Sequence, residues 1–274
     1  MELQKKLMQL SEILRTYGRV IIAYSGGVDS TFLIKVAYDT LGLGAIAVTS
    51  ISESYPESEF EETKKLAKEI GIKHIIIKTE ELTDRNYSAN QINRCYFCKN
   101  ELYAKIKPIA EQYGIKYILD GLNLDDIGDI RPGIRAAKEH GIISPLKVAG
   151  LTKNEIRELS KLYSLSTWDK PASPCLSSRV EYGILITADI LRQIEACEKY
   201  LKDLGINNVR VRYHRHIARI ESDLEDFGII LRNRDSIISK FKELGFIYIA
   251  LDLQGFRSGS MNELLNIRSK EIQR

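Results

Sequence analysis

The chain has 274 residues, of which 28% are charged and 44% hydrophobic, and a formal net charge of +3. No apolar run reaches the roughly 20 residues that cross a bilayer, and the amino terminus lacks the apolar stretch and small-residue cleavage site of a secretory signal, so a cytoplasmic protein is expected. A total so near neutral neither requires nor excludes an RNA partner, while the length favours two domains with separate cores.

In chain order, residues 3–17 read as an amphipathic helix, and 19–24 as a nearly continuous apolar run suited to a strand buried on both faces. A helix over 30–41, a strand over 45–49, a helix over 56–70 and a strand over 74–77 follow, then a helix over 103–113 and a strand over 116–119. This alternation predicts an α/β fold, a doubly wound and mostly parallel sheet, over residues 1–170. Lys170-Pro171-Ala172-Ser173-Pro174-Cys175 carries two prolines and cannot be helix interior, so 171–183 reads as a linker. Beyond it, a helix over 187–204, strands over 209–213 and 218–221, a helix over 235–244 and a strand over 246–251 predict a smaller α+β domain at 184–274, with a polar end that frays.

Where the first strand ends and a helix begins lies Ser25-Gly26-Gly27-Val28-Asp29-Ser30. Unpaired backbone N–H groups and the helix dipole converge there, which suits a phosphate. Gly26 and Gly27 permit a tight turn, Ser25 and Ser30 offer hydroxyls, and Asp29 either orients the loop or holds a divalent cation. No Gly-Lys-Ser/Thr follows, so this is not a Walker A loop; a plain capped turn is the structural alternative. The six residues match the Ser-Gly-Gly-x-Asp-Ser loop of the PP-loop ATP pyrophosphatases, and the chain resembles that family over roughly its first 170 residues. The resemblance implies ATP binding, adenylation of a substrate and release of pyrophosphate. Asp120-Gly121-Leu122-Asn123-Leu124-Asp125-Asp126, at the carboxyl end of the fourth strand, looks like that family's Gly-x-x-x-Asp-Asp segment. Gly121, Asp125 and Asp126 are therefore ATP-site candidates, with the two carboxylates either holding Mg²⁺ on the triphosphate or capping the segment that follows.

Of the four cysteines, Cys95 and Cys98 are spaced to face one ion or cluster, and Cys175 lies far along the chain. The surroundings do not open a thioredoxin unit, and a structural zinc would need a fourth ligand. Three thiolates from Cys95, Cys98 and Cys175 suit a [4Fe–4S] cluster with one iron left open for a sulfur to be transferred, with zinc or unligated thiols as alternatives. Cys197, inside a predicted helix, reads as core.

Further pieces extend the likeness along almost the whole chain: Arg131-Pro132-Gly133, Pro171 to Arg179, Tyr182-Gly183, Val209-Arg210-Val211-Arg212, Ile217 to Glu221, and Leu251 to Gly259. With these the chain resembles the LarE family of ATP-dependent sulfurtransferases, which serve nickel-pincer nucleotide synthesis. The resemblance implies a small-molecule substrate, pyridinium-3,5-biscarboxylic acid mononucleotide, no nucleic-acid partner, a homo-oligomer, and thiocarboxylate formation through an acyl-adenylate. Some members sacrifice one cysteine within Ala-Ser-Cys-Ser-Val-Ser-Ser-Arg, which aligns with Pro174 here, one residue from Cys175; others hold a cluster on three cysteines. The cluster branch is favoured, with Cys95, Cys98 and Cys175 as the catalytic set. Arg210 and Arg212 alternate on one strand face and, with His214, form a phosphate clamp in this reading; pairing with Glu221 is the structural alternative. Arg257, beside Gly255, Ser258 and Gly259, is a second anion candidate. A tRNA thiolase sharing the loop and cysteines, an inert nucleotide-binding module and an ammonia-using ligase are the rival readings, and no residue pattern specifies the sulfur donor.

Overall fold

Val20–Ala23 forms strand β1, and all four of its residues are buried because helices cover both faces of its sheet. The computed structural model describes residues 2–126, 132–257 and 259–263, which leaves Arg131, Ser258 and 264–274 of the expectations above outside the described residues. In chain order the elements of the first part are α1 (Glu2–Tyr17), β1, α2 (Val28–Leu41), β2 (Ala45–Ile51), α3 (Glu57–Ile70), β3 (Lys73–Lys78), α4 (Arg85–Ser88), α5 (Arg94–Gln112), β4 (Tyr117–Leu119), α6 (Pro132–Glu139), α7 (Pro145–Val148) and α8 (Lys153–Leu162). Then come α9 (Ala188–Asp203), β5 (Val209–His214), β6 (Ile217–Ser222), α10 (Phe227–Arg232), α11 (Arg234–Glu243) and β7 (Tyr248–Leu251).

The chain divides into two compact units, one of residues 1–87 and 93–173, the other of residues 88–92 and 174–274. The break at Ser173 falls inside the proline-rich stretch, while the transfer of the short segment 88–92 to the second unit has no sequence signal.

The first unit holds a four-stranded parallel sheet in the order β3-β2-β1-β4. Alternation along β1 divides its core: Val20 and Ile22 pack with α1, α2 and α8, Ile21 and Ala23 with α5 and α6. The edge strand β3 exposes Lys73 and Lys78, charges that discourage pairing with another chain. Since the chain leaves β1 for β2 on one side and later places β4 on the other, the sheet has its topological switch point between the carboxyl ends of β1 and β4, where ligands of such sheets bind.

The second unit contains a three-stranded sheet, β5 and β6 antiparallel and β7 parallel to β6. One face, with Val209, Val211, Ala218 and Ile220, packs on Cys197 and Leu201 of α9 and Phe241 of α11. The other carries Arg210, Arg212, His214, Arg219 and Glu221.

Two expectations change. The helix placed over 103–113 begins at Arg94, so Cys95 and Cys98 lie in its opening turns. The helices α6, α7 and α8 fill a stretch for which no elements were expected, and α8 starts with a capping box between Thr152 and Glu155.

Candidate active site

At the switch point, Ser25 to Gly27 lead from β1 into α2, whose N-cap is Gly27 and has no side-chain cap. The first N–H groups of α2 are therefore left to a ligand or solvent, as an anion site requires. Ser30 Oγ donates to Gly27 O at 3.1 Å, lies 3.1 Å from Ser25 Oγ and accepts from Ser25 N at 3.3 Å, closing the loop on itself. Gly26 has φ +71°, and a Cβ there would lie 2.4 Å from Thr63 Cγ2 of α3. A Cβ on Gly121 would sit 3.0 Å from Ser30 N and 3.2 Å from Ser30 Cα. Glycine at 121 thus lets the end of β4 touch the start of α2.

Asp29 does not stand open for a cation. It accepts from Lys153 Nζ of α8 at 2.6 Å and from Asn123 Nδ2 at 3.3 Å. Asp125 Oδ2 accepts from Lys153 N at 2.8 Å, and Asp126 Oδ2 from Asn123 N at 3.0 Å, so both carboxylates brace the turn that presents Lys153. Lys153 was missed in the sequence because 124 residues separate it from Asp29; the Thr-x-x-Glu pattern at 152–155 was the available sign of its helix. It supplies the ammonium beside the loop that a Walker A motif carries within itself.

Cys95 is exposed and Cys98 half-buried, three residues apart on α5 and hence on one helix face. Next to them, Lys99 turns inward. Its Nζ lies 5.6 Å from the Tyr103 ring, and its pKa is raised by Tyr103 first and also by Asp120, Cys98 and Cys95, against the opposing effect of burial. Asp120, just before Gly121, accepts from Ser144 Oγ at 2.6 Å and Leu122 N at 3.2 Å. A Cβ on Gly133 would meet Lys99 Cγ at 3.1 Å and Cys95 O at 3.6 Å, so this glycine admits α6 against the cysteine turn. Asp120, whose charge acts on Lys99, immediately precedes the glycine that lies against Ser30 of the nucleotide loop.

In the second unit, Cys175 is half-buried, and its carbonyl accepts from Arg179 Nη1 at 3.0 Å. Arg179 also donates to the Pro174 carbonyl and is held by Glu198 through Nε at 3.0 Å and Nη2 at 3.2 Å. Both side chains are buried, so this pair fixes the Cys175 loop onto α9. Cys197 is fully buried, and burial, aided by Glu198, pushes its thiol up to about 12, as fits a core residue. Among the described residues, no three or more His, Cys, Asp or Glu side chains converge on a metal position.

Arg210 and Arg212 do share a face of β5, and both are buried. Arg212 binds Glu221 Oε2 through Nε at 2.9 Å and Nη2 at 2.7 Å, which is the pairing alternative stated above. Arg210 donates to Val209 O at 2.8 Å and lies 5.3 Å from the Phe256 ring. His214 Nε2 accepts from Arg219 Nε at 3.1 Å, so Nδ1 carries the proton and donates to Glu181 at 2.7 Å. Arg219 bridges Glu221 and Asp252, and Arg257 binds Asp252 at 3.4 Å and Glu263 at 3.1 Å. One connected network thus joins Arg212, Arg219 and Arg257 to Glu221, Asp252 and Glu263, and through His214 to Glu181, with Arg210 beside it on β5.

No family model matches the chain. It is 39% identical over 264 residues to the pyridinium-3,5-bisthiocarboxylic acid mononucleotide synthase of Lactiplantibacillus plantarum, covering 96% of each. The chain belongs to the LarE family. It is an enzyme. An uncharacterized protein of Synechocystis sp. is 45% identical over 265 residues, covering 96% of this chain and 99% of that protein. A glutamine-hydrolysing GMP synthase component of Sulfurisphaera tokodaii is 30% identical over 173 residues, 57% of this chain and 45% of that protein, in keeping with the PP-loop α/β architecture of the first unit. None of the helices among the described residues is long and apolar enough to cross a membrane.

Proposed function

We propose that this LarE-family enzyme, acting in the cytoplasm, transfers sulfur to pyridinium-3,5-biscarboxylic acid mononucleotide at the expense of ATP, in nickel-pincer nucleotide synthesis. The identity shared with the Lactiplantibacillus plantarum synthase across 96% of both chains carries this reading. The nucleotide loop supports it: uncapped N–H groups of α2, the hydroxyls of Ser25 and Ser30 and the ammonium of Lys153 suit a triphosphate, with Gly26, Gly27 and Gly121 allowing close approach. Asp29 orients the loop through Lys153 and Asn123, and Asp125 and Asp126, in the turn beside it, are the carboxylates for Mg²⁺ in this reading.

In the first half-reaction a substrate carboxylate attacks the α-phosphorus of ATP, forming an acyl-adenylate and expelling pyrophosphate. In the second, a sulfur nucleophile adds to the acyl carbon and AMP departs with the C–O electron pair, leaving a thiocarboxylate. The backbone of the loop and Lys153 bear the charge on pyrophosphate as it leaves. Arg210, Arg212 and Arg257 bind the substrate phosphomonoester in this reading, which the placement of Arg210 and Arg212 on one face of β5 supports. Cys95, Cys98 and Cys175 are the sulfur-handling residues. The i, i+3 thiols of Cys95 and Cys98 on α5 would hold two positions of a [4Fe–4S] cluster, and Cys175 would supply the third thiolate. Such a cluster, when bound, would supply the sulfur for the second half-reaction. A homo-oligomer is proposed from the family alone.

Anaerobic purification and reconstitution test the cysteine assignment. About four iron and four sulfide per chain, lost in Cys175→Ala together with multiple-turnover thiocarboxylate formation, is the expected result. Background iron with full multiple turnover in Cys175→Ala would refute it, and a loss of hydrogen sulfide mass from Cys175 after turnover would show self-sacrifice instead.

A further inference from the structure

Two carbonyl groups of the nucleotide loop are gripped from outside. Tyr55 Oη donates to Ser25 O at 3.0 Å, and Lys170 Nζ donates to Gly26 O at 3.3 Å. A trans peptide is planar, with its N–H directed opposite to its C=O. Holding Ser25 O and Gly26 O in place therefore sets the directions of the next N–H groups, those of Gly26 and Gly27. Tyr55 stays a donor, since burial, reinforced by Glu59, raises its pKa.

Lys170 is itself fixed on all sides. Glu59 Oε2 at 2.7 Å and Glu62 Oε2 at 2.6 Å, one turn apart on α3, take its remaining protons. The lysine side chain is only 14% exposed, and Glu59 13%. Burial alone would lower the lysine pKa, but the hydrogen bonds with the two glutamates outweigh it and the value is raised, so the ammonium persists. The backbone is tied as well: Arg157 of α8 donates to Trp168 O at 2.7 Å and to Lys170 O at 2.8 Å. Without the ammonium, two carboxylates would stand beside a loop that must receive an anion.

We propose that Lys170 is a positioning residue of the ATP site, a strap that joins the last segment of the first unit to the nucleotide loop and aims the Gly27 N–H at the triphosphate. The inference rests on the ATP reading above. It assigns a role to the lysine of the Lys-Pro-Ala-Ser-Pro-Cys segment separate from that of its cysteine.

Calorimetric titration of the full chain with a non-hydrolysable ATP analogue and Mg²⁺ tests it. Lys170→Met is expected to weaken binding about tenfold, the effect of losing one charge-assisted hydrogen bond, and to raise KM for ATP in pyrophosphate release more than it lowers kcat. Lys170→Arg, which keeps the charge and the donors, is expected to stay within about threefold of the wild type. The triple variant Glu59→Gln, Glu62→Gln, Lys170→Met removes the stranded charges that could unfold the single variant, and is expected to remain weakened because Gly26 O has lost its donor. A folded triple variant that binds the analogue as the wild type does would overturn the strap alone. A wild type that fails to bind the analogue would remove the ATP reading and the strap with it.

Discussion

Gly26→Ala perturbs the nucleotide loop in two separable ways. At φ +71° a Cβ is strained, by about 1–2 kcal/mol. The same Cβ would lie 2.4 Å from Thr63 Cγ2, an overlap in a packed region that costs a further 1–3 kcal/mol or so. The sum, roughly 2–5 kcal/mol, corresponds to a fall in melting temperature of about 5–15 °C for a unit of this size. Thr63→Ser removes Cγ2 while keeping the hydroxyl that donates to Phe60 O at 2.7 Å, and by itself costs about 1 kcal/mol for the buried methyl. In the double variant the overlap disappears and only the backbone strain and the small cavity remain. A double-mutant cycle by urea unfolding should therefore give a favourable coupling of about 1–3 kcal/mol. Unchanged stability in Gly26→Ala, or simple additivity of the two substitutions, would refute the close packing of α3 on the loop.

Lys153→Met should lower kcat/KM for pyrophosphate release by about 100-fold, the scale for losing one charge-stabilising donor, with the melting temperature as control. Arg212→Met leaves the fully buried Glu221 short of a partner and should destabilise the second unit by about 3–5 kcal/mol in urea, most of it recovered when Glu221→Gln is added. Asp252 answers to acid. Burial would raise its carboxyl, but the Gln254 N–H and Arg219 outweigh that and hold it below the usual aspartate range. A depressed folded value means stability that is complete above about pH 5 and lost as the pH falls below about 4. Asp252→Asn should flatten that part of the stability curve, which unfolding midpoints between pH 3 and 7 would show.

Much of the first unit was legible because its strands are short apolar runs separated by amphipathic helices, and β1 to β4 follow those runs within two residues at either end. The nucleotide loop was legible for a local reason as well: two glycines and two serines between a strand and a helix mark a tight turn with uncapped N–H groups, which the structure has at Gly27. Alternation along the strand expected over 209–213 put Arg210 and Arg212 on one face, as found, and named Glu221 as the competing partner that Arg212 takes. Residues 132–162 were not read as helices, although Thr152 and Glu155 form a capping box there.

The sequence by itself determined the alternating fold and the glycine-rich turn between β1 and α2, since each depends on neighbours within a few residues. Tertiary structure decided what those groups meet. Lys153 reaches Asp29, Lys170 reaches Gly26 and the two glutamates of α3, and Arg179 with Glu198 holds the Cys175 loop. These contacts join residues from 4 to 144 positions apart in the chain. Buried charges must find partners or be excluded, and only the packing of the elements determines which partner is within reach.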